Sequence, residues 1–447
     1  MYYNTYIKNK ENNSESIKKA PKFINEVYKF LRRPLQALEQ RLDKRYVYTA
    51  YDLFMGILSF RDRINGLLLS ELGGYIAHPS NAPAGTKRIS NLLRNEDWSK
   101  EDISEELFLQ TKDRLTDPQQ AGKWWLMLWD DSVIEKPESW FSEGLCAVKS
   151  SKAARLTKIK KGFYTPPQNH RICVPGHEWS AAILTSRVDK PMVCSMEWWT
   201  TRGNYKEDRG NIFYTMLKKV AELVNELKVS VWNVLDRGYA SLTTLERMYK
   251  YEQKFIIRWK SNQLLADIKG EIKNTYKYSL GQKNMSAKMV WDKERNQKRK
   301  VSILYRKVKH PELPDKQLYL IIVRDKRRKP MYLLTNVEVN TVGMAWEIFF
   351  SYMQRWDIEQ SFRFGKTAMA MESPRLWFWE NRLKLLMIVT LVIAFLLNLL
   401  YKARDYVTEL IKTWCPRTGK RQNNAALPLY RLRLAVSQLI LYELIPK

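Results

Sequence analysis

Along this chain the spacing of apolar residues changes several times, and each change marks a structural boundary. Up to Asp117 the spacing is helical, with no strand-like alternation. Residues 17–42 are basic and periodic. Residues 47–72 are more apolar and end at Gly73-Gly74, and the segment HPSNAPAG interrupts the pattern before a short basic helix marked by Lys87, Arg88, Leu92 and Arg94. Trp98-Ser99 followed by Asp102 predicts a further helix with Ser99 as its N-cap. After the turn Pro118-Gln-Gln-Ala-Gly, the run WWLMLWD (124–130) predicts a buried strand that ends on an acid, with Asp130 and Asp131 heading a loop. Residues 135–168 read as a loop rich in Lys and Arg, including Lys149, Lys152, Arg155, Lys158, Lys160 and Lys161. Strands are expected at 179–186 and 192–198, and a helix over 211–227. A second apolar run, VSVWNVLD (229–236), again ends in an aspartate; a helix beginning near Ser241 and a strand at 255–259 follow.

From 260 to 340 the pattern turns to alternation, as in VSILYRKV and QLYLIIVR, which predicts an inserted β-rich subdomain. MYLLTN (331–336) leads into one long helix over 341–366. Next comes LLMIVTLVIAFLLNLLY (385–401), an uncharged run close to membrane-spanning length. It is slightly short, holds Thr390 and Asn398, and has no second of its kind, so the expectation is a core helix buried on all sides and no membrane partner. The fold class expected is α/β with an all-helical front. Five stretches follow: 1–118 an all-helical domain, 119–259 the first part of the core, 260–340 the β-rich insertion, 341–405 the second part of the core, and 406–447 a basic helical tail.

Charge narrows the partners. The 447 residues carry 76 Lys and Arg against 47 acids, a formal net charge of +29, and such a field favours a polyanion. Nucleic acid and an anionic membrane surface both qualify on charge alone. The 16 Trp and 24 Tyr suit base stacking as well as core filling. Cys146, Cys173, Cys194 and Cys415 form no close pairs and no signal peptide precedes them, which reads as a reduced, cytoplasmic protein. His170, Cys173 and His177 lie near one another, but a zinc site would need a fourth ligand from afar. The helical front reads as a DNA-recognition module or as a packing and dimerisation bundle; nothing in it singles out a reading helix.

Strands ending in carboxylates, with a further acid on a later helix, suit metal-dependent phosphodiester chemistry, because hard oxygen ligands on separate rigid elements can share two Mg²⁺ ions. The helix segment SYMQRWDIEQSFRFGK places Tyr352, Arg355, Glu359, Phe362, Arg363 and Lys366 at helical spacing on one face. Arg355 can grip a phosphate with two donors, Lys366 adds a compact charge, Tyr352 can donate to a phosphate oxygen, and Glu359 would complete a metal shell with Asp130 and Asp236. The plain alternative is an exposed amphipathic helix with internal Glu–Arg pairs.

The set Tyr352, Arg355, Glu359 and Lys366, with the core Arg-Trp-x-Ile-Glu at 355–359, resembles the signature of the IS-four family of insertion-sequence transposases. Asp130-Asp131-Ser132 is similar to the family's first aspartate motif and Asp236-Arg237-Gly238-Tyr239 to its second, so the likeness spans roughly residues 124–401. It implies an RNase H-like core interrupted by the β-rich insertion, and a cut-and-paste DDE transposase in which Asp130, Asp236 and Glu359 are catalytic and hold two Mg²⁺ ions, Mn²⁺ being able to substitute. Tyr352, Arg355, Arg363 and Lys366 would bind DNA. Partners would be double-stranded DNA, both element ends and target, and a second copy of the chain in a homodimer, with the protein on the nucleoid when bound. A hairpin at the excised end and a flipped base stacked on Trp356 are further implications. Asp131 stands as an alternative first ligand. A nuclease, or an inert DNA-binding regulator derived from a transposase, is the alternative function.

Overall fold

The computed structural model describes residues 19–117, 124–139, 141–153, 172–292, 297–325, 328–415 and 427–444. The expected turn at 118–122, Arg155, Lys158, Lys160, Lys161 and His170 lie outside the described residues. Twelve strands are described: β1 (Trp125–Glu135), β2 (Cys146–Lys149), β3 (Cys173–Thr185), β4 (Met192–Trp199), β5 (Val231–Leu235), β6 (Lys254–Trp259), β7 (Leu264–Ala266), β8 (Ile272–Asn274), β9 (Ser286–Asp292), β10 (Gln297–His310), β11 (Leu313–Asp325) and β12 (Arg328–Thr335). Together with the helices they form a mixed α/β fold in two units.

One unit comprises residues 109–133 and 178–362. Its centre follows from two sequences with no polar face: all of β5, and the first five residues of β1, are buried, which parallel strands covered on both sides require. β1, β5 and β6 run parallel, with Trp129 opposite Leu235 and Leu235 opposite Ile257. The helix Leu242–Lys250, started by Ser241 accepting from the Thr244 N–H, lies in sequence between parallel β5 and β6, a connection hairpins cannot make. In this unit's sheet the strand order is β4, β3, β1, β5, β6, β12, β11, β10, β7, β8, with β9 also on β10.

One expectation changes here. β1 does not stop at Asp130 but continues to Glu135. The strand tolerates the acids because Asp131 is neutralised where it lies: it accepts from Ser180 Oγ on neighbouring β3 at 2.7 Å and is paired with Arg209. The alternating stretch 260–340 is β-rich, holding β7 to β12, and its strands extend the core sheet. Antiparallel β12 pairs with β6, and β11 and β10 follow, so the core sheet simply grows across the edge that β6 would otherwise leave with unpaired backbone groups.

The other unit takes in residues 1–108, 134–177 and 363–447, so the helical front shares one unit with the end of the chain. Helices Lys19–Glu39, Lys44–Ser59, Leu69–Ala77 and Ala82–Arg94 form its first part. Gly73-Gly74 falls inside a helix instead of ending one, because the backbone of the next helix presses against Gly73 at Gly85. The apolar run becomes the helix Trp379–Lys402, which is long and apolar enough to cross a membrane, yet 94% of its most apolar window is buried within the protein. Phe395 sits 5.4 to 5.9 Å, ring centre to ring centre, from Phe23, Phe30 and Phe54. The basic stretch 135–168 is not all loop: β2 forms in it and pairs with residues 173–176 of β3.

Close to that pairing, His177 is 1% exposed, with Nδ1 at 2.9 Å from the Gly144 carbonyl and Nε2 at 2.9 Å from Arg382 Nη1. The carbonyl needs a proton on Nδ1 and the guanidinium needs a bare Nε2, so the ring is neutral. Burial, then the Arg382 charge, lower its pKa to about 3. Unfolded His titrates near 6.5, so the stabilisation is complete above that pH and is lost as pH falls through the window toward 3. We predict a loss of roughly 3 kcal/mol from this one ring between pH 7 and pH 4. Urea midpoints across that range should fall more steeply for the wild type than for His177→Gln; parallel profiles would refute the assignment.

Candidate active site

Strand register brings the first two acids together. Trp129 pairs with Leu235 across parallel β1 and β5, so the next residue on each strand, Asp130 and Asp236, falls at adjacent positions. A buried tether holds that register: Trp129 Nε1 donates to Asn233 Oδ1 at 2.8 Å, and Asn233 Nδ2 donates to the Lys254 carbonyl at 3.1 Å. Asn233 is wholly buried on β5, and its amide ties three parallel strands at once.

The third acid arrives from a broken helix. The single helix expected over 341–366 is two, Val342–Met353 and Trp356–Thr367. Between them Gln354 N bonds Ser351 O, Arg355 N bonds Tyr352 O, Asp357 N bonds Gln354 O and Ile358 N bonds Arg355 O. These i to i−3 bonds tighten the backbone locally, so the signature residues no longer share the single helical face their spacing suggests. Tyr352 lies in the last turn of the first helix, Arg355 occupies the break and Glu359 belongs to the second.

The break places Arg355 among the acids. Its Nη1 donates to Asp130 Oδ2 at 3.1 Å and its Nη2 to Glu359 Oε1 at 2.6 Å, so one guanidinium spans both carboxylates. Tyr352, 4% exposed, donates its hydroxyl to Asp236 Oδ1 at 3.2 Å. Burial raises the Asp130 carboxyl to about 7, Arg355 works against that, and the charge of Asp236 adds to it. Burial also lifts the Tyr352 phenol to about 12, keeping it a neutral donor. Arg355 shows the opposite balance: burial disfavours its charge, but Tyr352, Asp236, Glu359 and Asp130 together hold its pKa above the ordinary value. Among the described residues, no hydrogen-bond partner reaches its buried Nε.

No protein-family model matches the chain, and no curated protein matches it. Among solved structures, one described as the cryo-EM structure of the piggyBac transposase synaptic complex with hairpin DNA is similar over 89% of this chain and 71% of that one, with 12% identity and a TM-score of 0.42.

Asp130 and Asp131 have different surroundings. Besides Ser180 and Arg209, Asp131 interacts with the buried Tyr239 hydroxyl, so its oxygens are committed to the scaffold. Asp130 instead faces Arg355 and feels the charge of Asp236. Sequence reasoning missed Arg209, Ser180 and Arg258, the last of which acts on the Tyr352 phenol. Arg209 carries a local signal only as the first residue of a helix capped by Asp208; Ser180 and Arg258 carry none, being single polar residues within strands.

Phe362, placed on the functional face by its spacing, is 5% exposed and packs edge-on against Trp179 at 4.5 Å, where it anchors the Glu359 helix. Arg363 is exposed and Lys366 half-buried on the same helix. Trp356 is half-buried. His177 is taken up by Gly144 and Arg382, and Cys173 is exposed and free. Among the described residues, no three of His, Cys, Asp or Glu are placed to hold a metal ion together; the positive charge between Asp130 and Glu359 is Arg355. The donor chemistry nonetheless suits a hard divalent cation. The acids are carboxylates only, and one raised well above its ordinary pKa in a buried cluster is relieved by a cation as by a proton.

Proposed function

We propose that this chain is a DNA transposase of the cut-and-paste type with an RNase H-like core, acting on the ends of a mobile element through metal-dependent cleavage and strand transfer. The observation that carries the reading is the bridging of Asp130 and Glu359, remote along the chain, by the one Arg355 guanidinium, with Tyr352 bonded to Asp236 beside it. The carboxylates at adjacent register positions, Asp130 within β1 and Asp236 just past the end of parallel β5, and the strand order β4, β3, β1, β5, β6 support the core assignment. Asp130, Asp236 and Glu359 would hold Mg²⁺, with Mn²⁺ an acceptable substitute. When bound, the ions lower the pKa of the attacking hydroxyl and stabilise the leaving oxygen.

The chain's own residues do the positioning. Arg355, engaged with Asp130 and Glu359, has the planar fork that a scissile phosphate needs, and releases the acids when it turns to that phosphate. Tyr352 keeps its proton and orients the Asp236 carboxylate. Arg363 and Lys366, one turn and two turns beyond Glu359, would extend the phosphate contacts along the strand. Water is the first nucleophile and a freed 3′ hydroxyl the next, with no covalent protein intermediate. A homodimer would bring two ends together, in the cytoplasm on the nucleoid.

The deciding assay incubates the full chain with Mg²⁺ and a labelled duplex carrying the inverted repeats that flank its gene, together with a supercoiled target. Nicked ends and joined products are expected. Nicking without joining would leave a nuclease, and inertness with both Mg²⁺ and Mn²⁺ a DNA-binding regulator.

A further inference from the structure

The helices Leu69–Ala77 and Ala82–Arg94 are joined by only four residues, 78–81. His78 takes a positive φ of 74° there, and Pro79–Asn81 form a single tight turn. Backbone meets backbone across the pair. A Cβ on Gly85 would lie 2.2 Å from the Gly73 carbonyl oxygen, and one on Gly73 would lie 2.4 Å from that of Ala82. No side chain fits at either position, which is why a glycine sits within each helix at the cost of helix propensity. Thr86 adds a clamp by donating to the Leu69 and Ala82 carbonyls at 3.0 and 2.9 Å.

This pair is also fixed to the helix Lys44–Ser59, because Arg88 Nη2 donates to Asp52 Oδ2 at 2.7 Å. Ile89, Leu92 and Leu93 bury the inner face of Ala82–Arg94. The outer face is held rigid and carries Pro83, Ala84, Lys87, Asn91 and Arg94, all exposed. The helix contains Lys87, Arg88 and Arg94 and no acid. Among the described residues, no hydrogen bond or ion pair engages the side chains of Lys87, Asn91 or Arg94.

We infer that the helix Ala82–Arg94 is a sequence-reading element that enters the major groove of duplex DNA and presents Lys87, Asn91 and Arg94 to base edges. Two helices at a short, glycine-locked turn, steadied by a third, provide the rigid scaffold that groove insertion needs. The side chains have the chemistry of base readout, since Arg and Lys pair with the acceptors of guanine, and Asn with the donor and acceptor of adenine. A packing or dimerisation helix would require large apolar residues on that outer face, and here, beyond Pro83 and Ala84 in its first turn, it carries Lys87, Asn91 and Arg94. The inference rests on the proposed function for its target, the element ends, but assigns the reading to residues remote in sequence from the acids.

The test is selection from a pool of random duplexes by the full-length wild type and by a Lys87→Ala, Asn91→Ala, Arg94→Ala variant, followed by binding of the selected and a scrambled duplex at fixed salt. These positions are exposed, so melting by circular dichroism should be unchanged and serves as the folding control. The wild type is expected to enrich one motif, and the variant to lose roughly tenfold to a hundredfold of preference for each base-contacting side chain, while binding to scrambled duplex weakens far less. Undiminished preference in the folded variant overturns the reading helix and leaves the transposase reading intact. A wild type that enriches no motif overturns both.

Discussion

Glu359→Gln is expected to reduce Mg²⁺-dependent cleavage of element ends by roughly a hundredfold to a thousandfold or more, while leaving end binding nearly intact. The carboxamide has the shape of the carboxylate and keeps an oxygen for Arg355 Nη2, now 2.6 Å from Glu359 Oε1, so the break between the two helices should survive. What it loses is the negative charge. A partly buried site stabilises a cation through full charges, and removing one preorganised electrostatic partner costs about 3 to 4 kcal/mol of transition-state stabilisation. The fault lies in the chemical step, so single-turnover cleavage should slow while the dissociation constant for an end duplex changes little. Full cleavage by the variant would remove Glu359 from the mechanism. Asp131→Asn provides the contrast: its carboxylate serves Ser180 and Arg209, so it should act mainly through stability.

Phe395→Ala should carry the largest stability cost in the unit built around the helix Trp379–Lys402. The ring is fully buried and contacts three others, Phe23, Phe30 and Phe54, which come from two different helices of the front of the chain. Removing it leaves a cavity between helices, and such deletions cost about 3 to 5 kcal/mol. The first unfolding transition in urea should move to lower denaturant by the corresponding amount, with Phe395→Leu recovering much of it. A shift under about 1 kcal/mol would mean that the helices close around the gap or that the ring is not central to the core.

Much of the candidate site is legible along the chain because its parts lie at places with strong local signals. WWLMLWD and VSVWNVLD are apolar on both faces and end in acids, which predicts buried strands delivering carboxylates, and both strands form. The uncharged run 385–401 has no polar face, and a helix of that kind must be covered all round. Spacing also shows that Tyr352, Arg355 and Glu359 come from neighbouring turns.

The same local signals mislead where a distant partner overrides them. Asp131 has the character of a strand end, but Ser180 and Arg209 neutralise it and the strand runs on. Gly73-Gly74 has the character of a helix stop, but the approach of Gly85 gives Gly73 a packing role inside the helix. The pattern over 341–366 is continuous, yet the helix breaks where Arg355 turns to Asp130, 225 positions away in the chain.

By itself, then, the order of residues determines which segments are helix or strand, which faces must be buried and which side chains have the chemistry, because these depend on neighbours within a few positions. Which acid faces the site, which guanidinium sits among the carboxylates and which helix presents a free basic face are decided by strand register and by backbone approach at glycine. Those are contacts between residues tens to hundreds of positions apart, and only the packed chain brings them together.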